Sequence, residues 1–314
     1  MSTPELFRGR LSIPVIASPM FLISRPELVL AQCRAGVVGS FPSLNARPSG
    51  MLEQWLQQLR RELTEKDAPF AVNLIVHKSN TRLAEDLALV VKYQVPVVIS
   101  SLGARPEVNE AVHSYGGIVF HDIINDEFAH KAIERGADGL VAVAAGAGGH
   151  AGTQSPFALV QEIREWFSGP LALSGAIANG NAIAAARALG ADLAYIGSAF
   201  IATEEATADA RYKKMIVESA AKDIFYTDHF TGVHGNYLIP SIEAAGLDPA
   251  ALKAAETQHM NFAEAPGSEA KAWRDIWGAG QGIGAVKAVV PVARLVERLG
   301  TEYRAALARL AKEG

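Results

Sequence analysis

Eight short apolar runs punctuate the chain, at residues 14–18, 36–41, 70–76, 95–101, 117–123, 139–145, 170–174 and 193–197. They are rich in Val and Ile and do not alternate with polar residues, as expected of strands buried on both faces. Between them lie amphipathic stretches, among them 51–63, 80–92, 127–135, 156–166 and 181–189, whose apolar positions recur with a helical period. Successive runs begin between about twenty and about thirty-five residues apart, roughly the length of one strand–loop–helix–loop unit. Eight such units predict an α/β protein, a closed (β/α)8 TIM barrel. Gly36, Gly136 and Gly190 each stand where a helix ends ahead of the next strand, the place for a left-handed C-cap. These glycines report architecture and carry no chemistry.

After Thr203 the rhythm changes. Residues 204–221 read as a helix, 226–237 are polar, aromatic and glycine-rich, 240–259 read as irregular helix, and 265–284 are again glycine-rich. A long helix from about Ala285 towards Leu310 closes the barrel. The expected division is therefore 1–203 with 285–314 as the barrel, and 204–284 as a helical insertion covering the catalytic mouth. The competing reading is a plain C-terminal extension that never meets substrate.

Composition narrows the partners. The 314 residues are 49% hydrophobic and 20% charged, with a formal net charge of −4 and no dense Lys/Arg run, so neither nucleic acid nor an anionic membrane is expected. No apolar run reaches the ~18 residues of a membrane span. The polar first ten residues lack a signal-like apolar core, and a soluble, cytoplasmic protein is expected. Cys33, the single cysteine, excludes an intramolecular disulfide and follows an apolar helical run from Pro26, which favours a buried structural thiol. A homodimer is compatible with the sequence, which does not decide oligomeric state.

Two loops suggest a phosphate site. The seventh run ends in Ser174-Gly175-Ala176 and the eighth in Ile196-Gly197-Ser198. In barrels of this kind the loops after these two strands cradle phosphate, because glycine lets backbone N–H groups approach the oxygens and a helix N-terminus adds a favourable field. Gly175, Gly197 and Ser198 are the expected contacts, with Ala176 and Asn179 beside them. An ordinary tight turn would account for either glycine taken singly.

The loop after the sixth run, residues 144–153, surrounds one imidazole with small residues: Gly146, Ala147, Gly148, Gly149, His150, Ala151 and Gly152. Bare backbone of this kind suits a planar ligand, and His150 is the candidate general base or hydrogen-bond donor. His121-Asp122, at the end of the fifth run, is expected to point to the same mouth, either as a polar contact for a cofactor or as a buried structural pair. His77, His113, His130 and His259 read as surface or helix residues, and no His/Cys/Asp spacing suggests a metal.

Several of these segments together resemble the nitronate monooxygenases, the FMN-dependent family once called 2-nitropropane dioxygenases. They are Ala17-Ser18-Pro19-Met20, Val72-Asn73, the loop around His150, Ser174-Gly175, Ile196-Gly197-Ser198, and Trp277-Gly278-Ala279-Gly280-Gln281-Gly282. The resemblance runs over nearly the whole chain. It implies that Pro19 and Met20 lie against the flavin ring, that Asn73 hydrogen-bonds it, and that Gly148 and Gly149 pass beside the ring or ribityl chain. It further implies that Gly175, Gly197 and Ser198 hold the phosphate, that His150 is catalytic, and that Gln281 sits near the mouth. The chain departs from the family pattern at Val143, where glutamine is frequent, and at Ala176, where a second glycine is common.

The activity this implies is oxidation of alkyl nitronates, or of nitroalkanes, by FMN and O2 to a carbonyl compound and nitrite. Two rivals stand beside it: a reductase passing hydride from NAD(P)H through FMN to a quinone or enoyl thioester, and a barrel that binds flavin or a phosphorylated metabolite without catalysis. The intact His150 loop speaks against the last.

Overall fold

The computed structural model describes residues 4–48, 50–252 and 275–313. Eight parallel strands form one sheet: β1 (Val15–Ala17), β2 (Gly39–Pro42), β3 (Phe70–Ile75), β4 (Val97–Ser101), β5 (Ile118–Ile123), β6 (Gly139–Val143), β8 (Leu171–Ser174) and β9 (Leu193–Ile196). Each falls within, or within one residue of, an apolar run of the sequence. β1 pairs with β9, and the ring closes between β1 and β2 through Ala17 N–H donating to Val38 O (2.8 Å) and Val38 N–H to Val15 O (3.1 Å). The intervening helices are α1 (Pro26–Arg34), α2 (Met51–Glu62), α3 (Leu83–Lys92), α4 (Pro106–His113), α5 (Asp126–Glu134), α6 (Pro156–Trp166) and α7 (Gly180–Leu189). Gly36, Gly136 and Gly190 have φ of +84°, +93° and +113°, the left-handed geometry that their place at helix ends predicts.

The two faces of each strand do different work. Ile16, Ala71, Val97, Ile99, Phe120, Val141, Ala172 and Leu193 form one buried cluster inside the barrel, and their neighbours one residue along pack outward on helices. Phe7, from the first helical turn Glu5–Phe7, joins this cluster and stacks on Phe120 at 6.4 Å, closing the N-terminal end. At that same end Asp192, fully buried, accepts from Leu171 N–H and from Arg164 Nη2 (2.6 Å). Arg164 also donates to the carbonyls of Phe167, Gly169 and Gly190, so one guanidinium ties the entries of β8 and β9 to α6. Cys33 is fully buried, and burial pushes its thiol up to about 12, which suits the structural role expected of it.

Beyond β9 the chain makes its excursion: α8 (Ser198–Ile201), α9 (Ala210–Glu218), α10 (Ile239–Ala244) and α11 (Pro249–Leu252). It also contains a feature that the helical reading omits. β10 (Ile224–Thr227) runs antiparallel to β11 (Gly235–Leu238), and β11 pairs with the two-residue strand β7 (Gly149–His150). The closing helix spans Val292–Glu313 and starts later than expected, because Gln281–Ala285 is a separate 3-10 turn. His259 and most of the stretch before Asp275 lie outside the described residues. Among the described residues, no helix is long and apolar enough to cross a membrane.

Candidate active site

The barrel interior is apolar up to the C-terminal ends of its strands and then changes character. Two residues beyond the inward-facing Ile16, Ala71, Ile99, Phe120, Val141, Ala172 and Leu193, the same face presents Ser18, Asn73, Ser101, Asp122, Val143, Ser174 and Tyr195. All seven line one cavity of about 320 Å³, a size suited to a small organic ligand. Its walls are completed by Pro19, Met20, Phe21, Ile23, Leu44 and Ile201, by Gly148, Gly149 and His150, and by Gly197 and Ser198. The excursion supplies Tyr212, Thr231 and Gly278, so it does reach the mouth.

Of the residues singled out from sequence, His150, Pro19, Met20, Asn73, Gly148, Gly149, Gly197 and Ser198 line the cavity, as does Asp122. Gly175, Ala176 and Gln281 are not among the lining residues, and Ala176 and Gln281 meet at Gly146. The N–H groups of Ala176 and Gln281 both donate to Gly146 O, at 3.2 and 2.9 Å, and a Cβ on Gly282 would meet Ala176 O at 2.5 Å. Ala176, where a glycine is common in the family pattern, has φ +54°, a left-handed conformation that strains a side chain by about 1 kcal/mol. Asn179 caps α7 by accepting from Ala182 N–H, which is an architectural role.

His150 sits where three segments converge. Gly235 pairs with it on β11, Ala151 N–H donates to His234 O, and Asn236 Nδ2 donates to Ala147 O. A Cβ on Gly148 would lie 2.6 Å from Gly280 N, and one on Gly235 would lie 2.8 Å from Gly149 O; the close approach of these backbones explains the glycines. The ring Nε2 lies 3.1 Å from Thr231 Oγ1. Burial pushes the imidazole down to about 4, so it is neutral at physiological pH, able to donate one N–H and to accept a proton at the other nitrogen.

On the far strands a polar network runs along the cavity floor. Asn73 Nδ2 donates to Ile99 O and to Ser101 Oγ, at 2.9 and 2.7 Å. Ser101 Oγ and Leu102 N–H in turn serve Asp122. With both amide protons committed, the polar atom left to Asn73 is Oδ1, an acceptor suited to a ring N–H. Burial holds the Asp122 carboxyl up at about 6, against Ser101 and Leu102, which favour its ionised form. Tyr195 bonds Ser18, and its phenol is pushed up, first by burial and then by the charge of Asp122.

His121 and Asp122 do not act as a pair. Strand alternation turns His121 out to α4, where its Nε2 lies 2.9 Å from Asn109 Oδ1, and only Asp122 faces the cavity. His113 bonds Asp138 and His130 stacks on Trp166 at 3.8 Å, both away from the mouth, while His77 bonds Ser79. Among the described residues, no group of His, Cys, Asp and Glu could hold a metal. Sequence reading missed Ser101, Tyr195 and Thr231. The first two carried a signal, since Ser101 ends an apolar run and Tyr195 stands within one, both at inward parity; Thr231 carried none.

A flavin fits this chemistry. Bare backbone at Gly148 and Gly149 faces apolar Pro19 and Met20, Asn73 Oδ1 offers an acceptor, and Gly197 and Ser198 border the same space at the start of α8. A Cβ on Gly197 would come within 3.3 Å of Ser18 Cβ and 3.8 Å of Met20 Sδ, narrowing the cavity at that point.

Comparison with known proteins agrees with this geometry. The chain is 26% identical over 282 residues to a nitronate monooxygenase of Paraburkholderia phytofirmans, an alignment covering 75% of this chain and 76% of that one. In fold it is similar to FabK from Thermotoga maritima, with TM-score 0.81 and 24% identity over 99% of this chain and 98% of that one. It is similar too to a nitroalkane oxidase from Streptomyces ansochromogenes, with TM-score 0.77 and 24% identity over 98% of this chain and all of that one (100%). The family model described as nitronate monooxygenase matches residues 78–302, and with well over half its length so matched, the chain belongs to the nitronate monooxygenase family of flavin-dependent oxidoreductases.

Proposed function

We propose that this protein oxidises alkyl nitronates with O2, using FMN, to a carbonyl compound and nitrite. The observation that carries this reading is His150: a neutral imidazole at the wall of an apolar cavity, between glycines that leave room for a planar ring. When bound, the flavin supplies the redox chemistry; the chain binds, orients and handles protons.

Pro19 and Met20 would support one face of the ring, and Gly148 and Gly149 would run beside it or its ribityl chain. Asn73 Oδ1 would accept from the ring's imide N–H. Gly175, Gly197 and Ser198 would hold the phosphate, with Ala176 beside them and Gln281 close to that corner. His150 would hydrogen-bond the anionic nitro oxygens of a nitronate, or take the α-proton of a neutral nitroalkane. Arg47, the one Lys or Arg side chain in the lining among the described residues, gives the rim a positive charge that attracts an anion. Residues 204–284 would act as a substrate-covering insertion, through Tyr212, Thr231 and Gly278.

Anaerobic titration of the yellow holoenzyme tests the proposal. Propyl-2-nitronate is expected to bleach the flavin band, and admitting O2 to restore it with release of nitrite. Bleaching by NADH with no response to the nitronate would overturn the reading in favour of a reductase.

A further inference from the structure

Asn73, Ser101 and Asp122 form a chain whose direction is fixed from both ends. Asn73 Nδ2 lies 2.9 Å from Ile99 O, a carbonyl that can only accept, so this end of the amide is the nitrogen. Its second proton goes to Ser101 Oγ at 2.7 Å. Ser101 has one proton of its own, and that proton serves Asp122. Leu102 N–H serves the same carboxyl, from a residue held at φ +62°. A left-handed leucine is strained, and strain of this kind gathers at functional sites. Burial opposes charge on Asp122 while Ser101 and Leu102 favour it, and the balance leaves the carboxyl at about 6. The charge is felt across the cavity, where it helps to push up the Tyr195 phenol on β9. The other titratable or charged side chains of the lining, among the described residues, are His150, Tyr212 and Arg47. Burial holds His150 neutral and pushes Tyr212 up, and Arg47 stands at the rim.

We propose that Asp122 is a positioning residue that acts through Ser101 and Asn73: ionised, it opposes reduction of a flavin bound against Asn73, and protonated, it no longer does. Hydrogen bonds in series polarise one another, so a charge on Asp122 leaves Asn73 Oδ1 more negative. A flavin gains negative charge as it takes up two electrons and one proton, and a fixed carboxylate in a low-dielectric cavity raises the cost of that charge. The coupling is reciprocal, so reduction draws a proton onto Asp122. The proposal rests on the reading that sets the ring against Asn73, and not on nitronate as the substrate.

Anaerobic reduction of FMN-loaded holoenzyme against a reference redox dye, in wild type and Asp122→Asn, reads the equilibrium directly. At pH 8 the flavin of the variant should be reduced about tenfold more readily, the factor that a unit charge exerts out to about 12 Å at an effective dielectric of about 20. At pH 5, where the wild-type carboxyl is mostly protonated, the two should agree within about twofold. A variant that matches wild type at pH 8, or differs from it equally at both pH values, overturns the proposal. Infrared difference spectroscopy of wild type at about pH 6.5 needs no variant to fold. Reduction should bring up the deuterium-sensitive C=O band of a protonated carboxylic acid, and a spectrum without it overturns the proposal. Asn73→Ala examines the underlying reading: it should weaken FMN binding about fivefold, the worth of one hydrogen bond. Undiminished affinity would take the ring away from Asn73 and the proposal with it. The expected loss there, with no effect of Asp122→Asn on reduction, overturns this proposal alone. An intact Asp122 effect in an enzyme that ignores propyl-2-nitronate supports it and overturns only the substrate assignment.

Discussion

Replacing Asp122 by asparagine should change how stability depends on pH. The carboxyl is held at about 6, against an ordinary 3.8, because burial disfavours its charged form more than Ser101 and Leu102 favour it. A raised folded-state value means that the native protein holds this proton more tightly than the unfolded chain. The stability it contributes is complete below 3.8 and is lost as pH rises to about 6, leaving the ionised group a burden of about 3 kcal/mol at pH 8. At pH 5 the native carboxyl is mostly protonated and the burden is about 1.5 kcal/mol. Asparagine carries no such charge. Its single carbonyl oxygen replaces two carboxylate oxygens, and any cost to the bonds from Ser101 Oγ–H and Leu102 N–H does not vary with pH. His121 and His150, pushed down to about 4 by burial, have the opposite linkage. Their stabilisation is present above about 6.5 and fades as pH falls through 4, equally in both proteins, so it cancels in the difference. Urea unfolding of flavin-stripped wild type and Asp122→Asn at pH 8 and pH 5 measures the quantity without ligand linkage. The stability of the variant relative to wild type should fall by about 1.5 kcal/mol from pH 8 to pH 5. A difference that is the same at both pH values would show that Asp122 is not buried against the cavity floor as described.

His150→Asn should lower kcat for propyl-2-nitronate by about 100-fold or more, the usual worth of a placed acid or base, with FMN affinity within a few-fold of wild type; oxygen uptake at a wild-type rate would remove its proposed role. Gly148→Ala drives a methyl against the backbone of Gly280 and Ala279, at 2.6 and 2.9 Å. It should cost about 1–3 kcal/mol and yield protein depleted of flavin by absorbance, whereas a fully loaded, equally stable variant would contradict the close approach of these loops. Arg164→Ala leaves Asp192 buried with Leu171 N–H and Arg187 at 3.8 Å, so denaturant unfolding should show a loss of about 3–5 kcal/mol. A loss under 1 kcal/mol would mean that water reaches the carboxylate.

What could be read from sequence, and what could not, follows from the range over which each feature is encoded. Strands such as 139–143 announce themselves because they are apolar on both faces, and glycines 36, 136 and 190 because the chain must turn left-handed there whatever surrounds it. The cavity floor was also within reach. Once Phe120 is assigned inward, Asp122 must follow it and His121 must face the other way, so parity decides a pairing that the dipeptide alone leaves open. The same count puts Asn73, Ser101 and Tyr195 into the mouth. Ala176 and Gln281 are harder to place from sequence, because whether loops line a cavity or seal against each other depends on backbone bonds. Ala176 N–H and Gln281 N–H reaching Gly146 O leave no trace in residue identity.

Thr231 marks the limit of this reasoning, and shows why a barrel alone is not the functional unit. His150 occupies a loop that any α/β barrel could present, yet its ring Nε2 meets a hydroxyl that arrives through the register of β10 and β11, after α8 and α9 have carried the chain back over the mouth. No periodicity in residues 144–153 predicts that partner, since it depends on Gly235 pairing with His150 rather than with a neighbour. A one-residue slip in that register would move Asn236 away from Ala147 O and turn alternate side chains of β11 to the opposite face, changing the support around Thr231 while leaving all eight barrel strands intact. The cavity is therefore encoded at two ranges: the strand ends fix what its floor contains, and the excursion supplies groups packed around its imidazole.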